Sequence, residues 1–408
     1  MGFPTDKGPT KSGMDTNNDE ESKGRRDLFR FACNNSLSTI RWVKMRDEPR
    51  MRKSERGIVL AVVLIAIAIV TTLVVDLIYF TQVDIQIASN IKDDIKARYI
   101  AKSGIYVAAG TIKKRPLEEL TTVASFLGEQ SGSSQGRWVI NVPYFPIGDG
   151  LVSITVVDER SKINLNALVS QTTNRVDQQV LTELKELFRM LGVDGKKSSL
   201  FISSLINWLD RPIEGSSVEN DQDPSGADAQ FYASLENPYS IKNGPLDSVE
   251  EIRLIYGMDK EFFEKIKDFV TVYPKDKRIN LSTAPKVVIM AALKGASVSS
   301  FTRQTGYASG GNLIPDDTAE QIADAILEAR KDNPIVDRKR ANEIVKSIDP
   351  TLQITAGLAG VVLSSGQSDV FSIRSIGSLG EEDSTLRIID AVIRKDSRKV
   401  EIISWKEQ

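Results

Sequence analysis

The side chains of this sequence that could do chemistry are almost all carboxylates. The densest group follows Trp208: Asp210-Arg211-Pro212-Ile213-Glu214, then Asn220-Asp221-Gln222-Asp223-Pro224-Ser225-Gly226-Ala227-Asp228. Asp221, Asp223 and Ser225 alternate, and Gly226 follows them. Alternate oxygen ligands ahead of a glycine open a calcium-binding loop, the glycine making the sharp turn. The twelfth position of such a loop is Tyr232 here, with no bidentate Glu, so the motif is not an EF-hand. Asp210, Glu214 or Asp228 could supply the missing carboxylate once the chain folds back. Taken alone, the same residues read equally well as a solvated acidic loop.

Other chemistry is mostly excluded. The chain has no histidine and one cysteine, Cys33. That removes imidazole acid–base sites, Ser-His-Asp and Cys-His nucleophiles, thiolate metal clusters and disulfides within the chain. The adjacent carboxylates Asp93/Asp94 and Glu381/Glu382 face apart on a helix or dissolve in a loop. The Gly-rich run Ala308 to Gly311 lacks the Lys-Ser/Thr of a phosphate loop. Val249 to Val270 reads as helix, glycine turn and helix, a unit often placed on nucleic-acid phosphates. Its turn, Tyr256-Gly257-Met258-Asp259, has no Gly-x-Gly and carries an acid, so packing is the better reading. A net charge of −2 adds no reason to expect nucleic acid. A binding or structural role is expected, not an enzyme.

The elements that must carry these residues begin with a membrane anchor. Ile58 to Val75 (IVLAVVLIAIAIVTTLVV) contains no charge, Gly or Pro, and a bilayer core takes about 20 such residues in a helix. Arg41, Lys44, Arg46, Arg50, Arg52, Lys53 and Arg56 precede it; Asp76, Asp84, Asp93 and Asp94 follow. The positive-inside rule puts the N-terminus in the cytoplasm and the rest across the membrane, in the periplasm of a bacterium. Asp76 to Phe80 offers no small-x-small site for signal peptidase. The first proline after Ile58 is Pro116. Val83, Ile87, Ile91, Ile95 and Tyr99 form a stripe continued by Ala101, Ile105 and Ala109, which predicts one helix of about 55 residues.

Strands are expected at Trp138–Val142 and Leu151–Asp158, joined by a turn containing Pro143, Pro146, Gly148 and Gly150, and at Phe371–Ile376, Leu386–Arg394 and Lys399–Trp405. Between the two groups the periodicity is helical: Asp177–Leu191, Phe201–Leu209, Ser248–Tyr256, Lys260–Val270, Pro285–Leu293, Thr318–Lys331 and Arg338–Ser347. The fold expected is α+β, a long helix on a small antiparallel sheet interrupted by a large α-helical insertion. Lys162-Ile163-Asn164-Leu165-Asn166 echoes Arg278-Ile279-Asn280-Leu281-Ser282, which suggests two related subdomains in the insertion with Asn166 and Ser282 as helix caps.

Lys53-Ser54-Glu55-Arg56-Gly57 followed by Ile58-Val59-Leu60 resembles the processing site of type IV prepilins and type II secretion pseudopilins. The resemblance implies cleavage by a prepilin peptidase between Gly57 and Ile58, then methylation of the new N-terminus. The fifth mature residue, usually Glu, is Val62 here. A carboxylate at that depth is costly without a partner, and the minor pseudopilin K family typically lacks it. Ser161 to Leu168, Leu205 to Asp210, Asn237-Pro238-Tyr239, Leu246 to Gly257, Arg278 to Pro285 and Val400 to Trp405 also resemble stretches of that family, in order, over about residues 52–408. The leader is longer than the family's, and Met51 would start a seven-residue leader of usual size; Met45 is another possible start.

The resemblance implies the following organisation: a partly disordered, cleaved leader over 1–57; a transmembrane half-helix over 58–76, anchored by Ile58, Val62 and Val75; and an amphipathic half over 77–115. The first part of the pilin-like domain then spans 116–170, the α-helical insertion 171–368, and the completing strands 369–408. It implies a non-enzymatic minor pseudopilin of the inner membrane, single-pass, working at the pseudopilus tip in export of folded proteins. Implied partners are other minor pseudopilins of the tip complex, the major pseudopilin, the prepilin peptidase and the inner-membrane secretion platform. Calcium in the helical region is implied too, with Asp210, Glu214, Asp221, Asp223, Ser225 and Asp228 as ligand candidates. The alternative is a signal-anchored periplasmic calcium-binding adaptor that is never processed.

Overall fold

The computed structural model describes residues 53–116, 119–120, 139–211, 225–305, 313–352, 354–380, 385–396 and 399–408, with the side chains of 53–56 and 299–305 outside that description. Cys33, Met45, Met51, most of the expected leader, Trp138, Glu214, Asp221, Asp223, the Ala308–Gly311 run and Glu381/Glu382 therefore lie outside the described residues. The chain divides into two compact units, Met1–Gln82 and Val83–Gln408.

Helix α1 spans Lys53–Lys114, 62 residues. The apolar run within it is exposed throughout, and among the described residues this is one helix long and apolar enough to cross a membrane. Thr71 and Thr72 hydrogen-bond back to the carbonyls of Ile67 and Ala68, so neither hydroxyl is left bare on an apolar surface.

In the second unit α1 lies on a five-stranded antiparallel sheet: β1 Val139–Ile147, β2 Gly150–Asp158, β5 Val370–Leu379, β6 Thr385–Lys395 and β7 Val400–Glu407, in the order β1-β2-β5-β6-β7. The expected stripe splits in two. Ala97, Ile100, Ala101, Ile105, Ala108 and Ile112 are buried against the sheet, whereas Ile87, Ile91, Ile95 and Tyr99 stay about half exposed or more. The reason is angular drift: a four-residue repeat advances about 400° and leaves its starting face after a few turns. Close approach is set by glycine. A Cβ at Gly377 would overlap the Ala97 carbonyl, and one at Gly104 would overlap the Ser375 hydroxyl.

The hairpin turn is tighter than expected. β1 runs through Pro143 and Pro146, and only Gly148 and Asp149 turn. As an edge strand with a register shift between Val142 and Phe145, β1 tolerates the missing N–H groups.

The insertion leaves the sheet at Asp158 and returns at Val370. It contains the strand pair β3 Ile163–Asn164 and β4 Val270–Thr271, which are parallel, and the helices α2 Gln178–Met190, α3 Gly195–Leu209, α4 Ala229–Ala233, α5 Lys260–Ile266, α6 Lys286–Thr305, α7 Asp316–Asp332, α8 Arg338–Ile348 and α9 Thr355–Val361. Val249–Leu254 is a 3-10 helix, not the α-helix expected over Ser248–Tyr256. Two separate cores result. One joins α1 to the sheet through Ile105, Val152, Ile154, Phe371 and Ile393; the other fills the insertion around Leu184, Phe188, Phe201, Phe262 and Ile289. Phe188 stacks edge-on to Phe262 with centroids 5.1 Å apart. The Gly257 turn, at φ +91°, packs on the Phe201 backbone, which gives it a packing role.

Candidate functional site

The anchor residues sit on α1 and are exposed among the described residues. Gly57 lies within the helix, nothing approaches the position of its missing Cβ, and Ile58, Val62 and Val75 are 65%, 59% and 63% exposed. Such an apolar surface is stable in lipid or against other helices, not in water.

The acidic candidates are only partly placed. Asp210 is the C-cap residue of α3 and is 2% exposed. Its two carboxylate oxygens have no hydrogen-bond partner among the described residues. Burial pushes its carboxyl up to about 6. The chain beyond it is held by Asn174, whose side chain accepts from Arg211 N (2.8 Å) and donates to Arg211 O (3.1 Å). Asn174 adopts the left-handed conformation, φ +53°. On the returning side, Ser225 to Asp228 dock on α3. A Cβ at Gly226 would overlap the Ser203 carbonyl, Ala227 N donates to Ser204 Oγ (3.1 Å), and Asn207 Nδ2 donates to Ala227 O (3.2 Å). The glycine expected for a sharp turn thus serves close packing. Asp228 caps α4 by accepting from Phe231 N. Among the described residues no three acidic side chains converge on a common point, and Glu214, Asp221 and Asp223 lie outside the description.

Sequence reasoning missed a polar clasp where the insertion meets the sheet. Asp158, fully buried, accepts from Arg160 N (2.8 Å), Asn280 Nδ2 (3.2 Å), Thr283 Oγ1 and Ser368 Oγ. Burial raises its carboxyl and these four bonds work against that. Glu159 is also buried; its pairing with Lys162 (2.6 Å) and bonds from Thr271 and Ser372 outweigh burial and hold it below the usual carboxylate range. Arg160 bridges Asp276 (2.7 Å) and Asp369 and donates to Arg278 O (3.2 Å). The signal in the sequence was the run Asp158-Glu159-Arg160 at the end of an apolar strand.

The Asn-Leu echo is real geometry, shifted by two residues from the expected caps. Asn164 Oδ1 accepts from Asn166 N (3.1 Å), and Asn280 Oδ1 accepts from Ser282 N (3.0 Å). Each capping side chain also donates its amide across the fold, Asn164 to Pro274 O and Asp276 O, Asn280 to Asp158 and Ser368. Asn166 and Ser282 are staples instead: Asn166 bonds Leu246 and Val272, and Ser282 bonds Gly366 and Val336. Ile163 pairs in parallel with Val270, and Ile279 with Val362.

A second missed group is Glu183 of α2. It is 1% exposed, and neither oxygen has a partner among the described residues. It faces Gly295 of α6, where a Cβ would come within 2.6 Å of its Cγ. Burial raises its carboxyl well above the usual range, Lys277 opposes this and Asp177 adds to it.

Comparison with known proteins adds the following. Residues 161–275 match a family model described as type II secretion system (T2SS), protein K. A type II secretion system protein K of Klebsiella pneumoniae is 24% identical over 261 residues, 61% of this chain and 73% of that protein. One from Pseudomonas aeruginosa is 25% identical over 60% of this chain and 69% of its own. One from Pectobacterium carotovorum is 24% identical over 57% and 68%. A crystal structure of the GspK-GspI-GspJ complex from the type 2 secretion system of enterotoxigenic Escherichia coli aligns with a TM-score of 0.49 at 18% identity, covering 80% of this chain and 99% of that one.

Proposed function

We propose that this chain, a relative of type II secretion system protein K, works as a minor pseudopilin at the tip of the pseudopilus. The observation that carries the reading is α1. One continuous helix has a bare apolar first part and a second part that presents one face to the sheet and keeps Ile87, Ile91, Ile95 and Tyr99 exposed on another. In this reading Ile58–Val75 holds the subunit in the inner membrane, with the N-terminus cytoplasmic and the unit Val83–Gln408 periplasmic. Cleavage after Gly57 frees Ile58, and the exposed stripe packs on the long helices of other minor pseudopilins and of the major pseudopilin. Val62 in place of a carboxylate fits a subunit that need not pair with an amino terminus above it. The insertion adds bulk beyond the sheet, which suits the end of a filament.

The test is processing. The chain is co-expressed with a prepilin peptidase and its N-terminus mapped by mass spectrometry. The expected product begins at methylated Ile58, and Gly57→Ala blocks its formation. A retained leader in the wild type, indifferent to Gly57→Ala, overturns the reading and favours an unprocessed periplasmic adaptor.

We also infer that the loop after α3 takes calcium. The support is the carboxylate of Asp210, unpartnered among the described residues, for which a hard divalent cation supplies the missing counter-charge, with Ser225 and Asp228 on the returning side and Glu214, Asp221 and Asp223 as the remaining candidates. Calorimetric titration expects binding in the range of extracellular calcium modules, about 10⁻⁴–10⁻³ M, lost in Asp210→Asn. No heat, and a melting temperature equal in calcium and in chelator, would remove the metal from the account.

A further inference from the structure

Helix α8 carries cations that the fold does not use. It opens with Arg338-Lys339-Arg340 behind the N-cap Asp337, whose carboxylate accepts from Arg340 N (2.8 Å), and has no acidic residue in its first turn. Arg340 is absorbed internally, donating to Ala329 O, Asn333 O and Ile335 O, which closes the end of α7. Arg338 is not absorbed. It is half-buried and has no hydrogen-bond or ion-pair partner among the described residues. Asn342 and Lys346 are likewise without partners among them, and they follow Arg338 at i+4 and i+8, on one face of the helix. Ser364, three residues past the end of α9, borders the same surface. With Lys339 and Glu343, which lie 3.9 Å apart, these residues border a surface cavity of about 380 Å³.

We propose that this face of α8 docks an acidic polypeptide segment of a partner protein. The donors are a guanidinium, an amide, an ammonium and a hydroxyl, a set that recognises oxyanions. They extend over eight residues, about 12 Å along the helix axis. One phosphate or carboxylate cannot span that length, whereas a chain bearing two or more carboxylates can. Among the described residues Glu343 is the one acid that borders the cavity, and it lies beside Lys339, so the charge left over along the Arg338–Lys346 line is positive. This docking does not depend on the pseudopilin reading.

The test uses the full chain in non-ionic micelles and a fluorescent hexaglutamate peptide, read by anisotropy. The basic stretch Arg41–Arg56 gives a background common to all variants, so the difference between them is the measurement. Wild type binds saturably and more weakly as salt rises. Arg338→Ala with Lys346→Ala weakens binding about fivefold to tenfold, the combined effect of two solvent-accessible charge contacts. Lys346→Glu, a change at an exposed position, weakens it at least as much and guards against misfolding of the double variant. Equal binding by these variants and wild type overturns the proposal. So does displacement of the peptide by inorganic phosphate at matched concentration, which assigns the cleft to a single small anion.

Discussion

Replacing Glu183 with Gln should remove a pH dependence that the wild-type fold carries. In the unfolded chain a Glu titrates near 4.3. In the fold, burial raises its carboxyl well above that, and the cation that opposes the rise, Lys277, is already engaged by Asp177 (2.5 Å) and Gln179 (2.6 Å). The native state therefore holds a proton that the unfolded state releases. Stability from this group is complete below the unfolded value and falls as pH rises, until the native carboxyl titrates in turn. The slope over that window is about 1.4 kcal/mol per pH unit for one proton. Glu183→Gln keeps the shape and is neutral at every pH. Its unsatisfied amide costs a constant amount, about 1–3 kcal/mol. Urea denaturation of both proteins from about pH 4.5 to about pH 8 gives the difference in unfolding free energy, and subtraction cancels the other titrating groups. The difference should shift in favour of the Gln variant as pH rises, then level off at the native value of Glu183. A difference independent of pH would refute the reasoning and mean that the carboxylate ionises in place at no cost.

Three other outcomes are expected. Gly377→Val drives a side chain into the Ala97 carbonyl and should cost about 1–3 kcal/mol, read by denaturation with Trp405, beside Tyr106, as fluorophore. Arg160→Ala strands Asp276 and Asp369; because both carboxylates still reach water, the loss should be about 2–3 kcal/mol, and proteolysis should then cut first at 159–162. Asn164→Ala and Asn280→Ala each remove a cap and two amide bonds, and each should cost about 2–3 kcal/mol in denaturant midpoints; a cost at only one site would refute their equivalence.

The long helix, the five strands and the helical run between them were legible because each rests on local periodicity. The 3-10 character of Val249–Leu254 was not, since six residues do not separate the two helical periods. The caps at Asn164 and Asn280 were misplaced because Asn and Ser at the second position have the same chemistry, and only the distant partners tell cap from staple. Glu183 was hidden by its charge. It follows Val180 by three residues and precedes Leu184 and Leu187, so its angular position put it at the edge of the buried stripe. Of the acidic loop, the sequence ordered the oxygens, but the burial of Asp210 at the end of α3 is set by tertiary packing that no local pattern encodes.

The insertion is joined to the sheet at one place. β2 ends at Asp158, opposite Phe371 at the start of β5, so both connections leave from the same end of neighbouring strands. A pull on the insertion would load the pair as a fork and open it one rung at a time, the weakest geometry for a ladder of hydrogen bonds. Asp158 to Ser368 and Arg160 to Asp369 tie the two prongs across the mouth of that fork. Glu159 to Ser372 adds a third tie, so the resistance of the molecule to unzipping is concentrated in these six side chains, and a load on the insertion would break it there first.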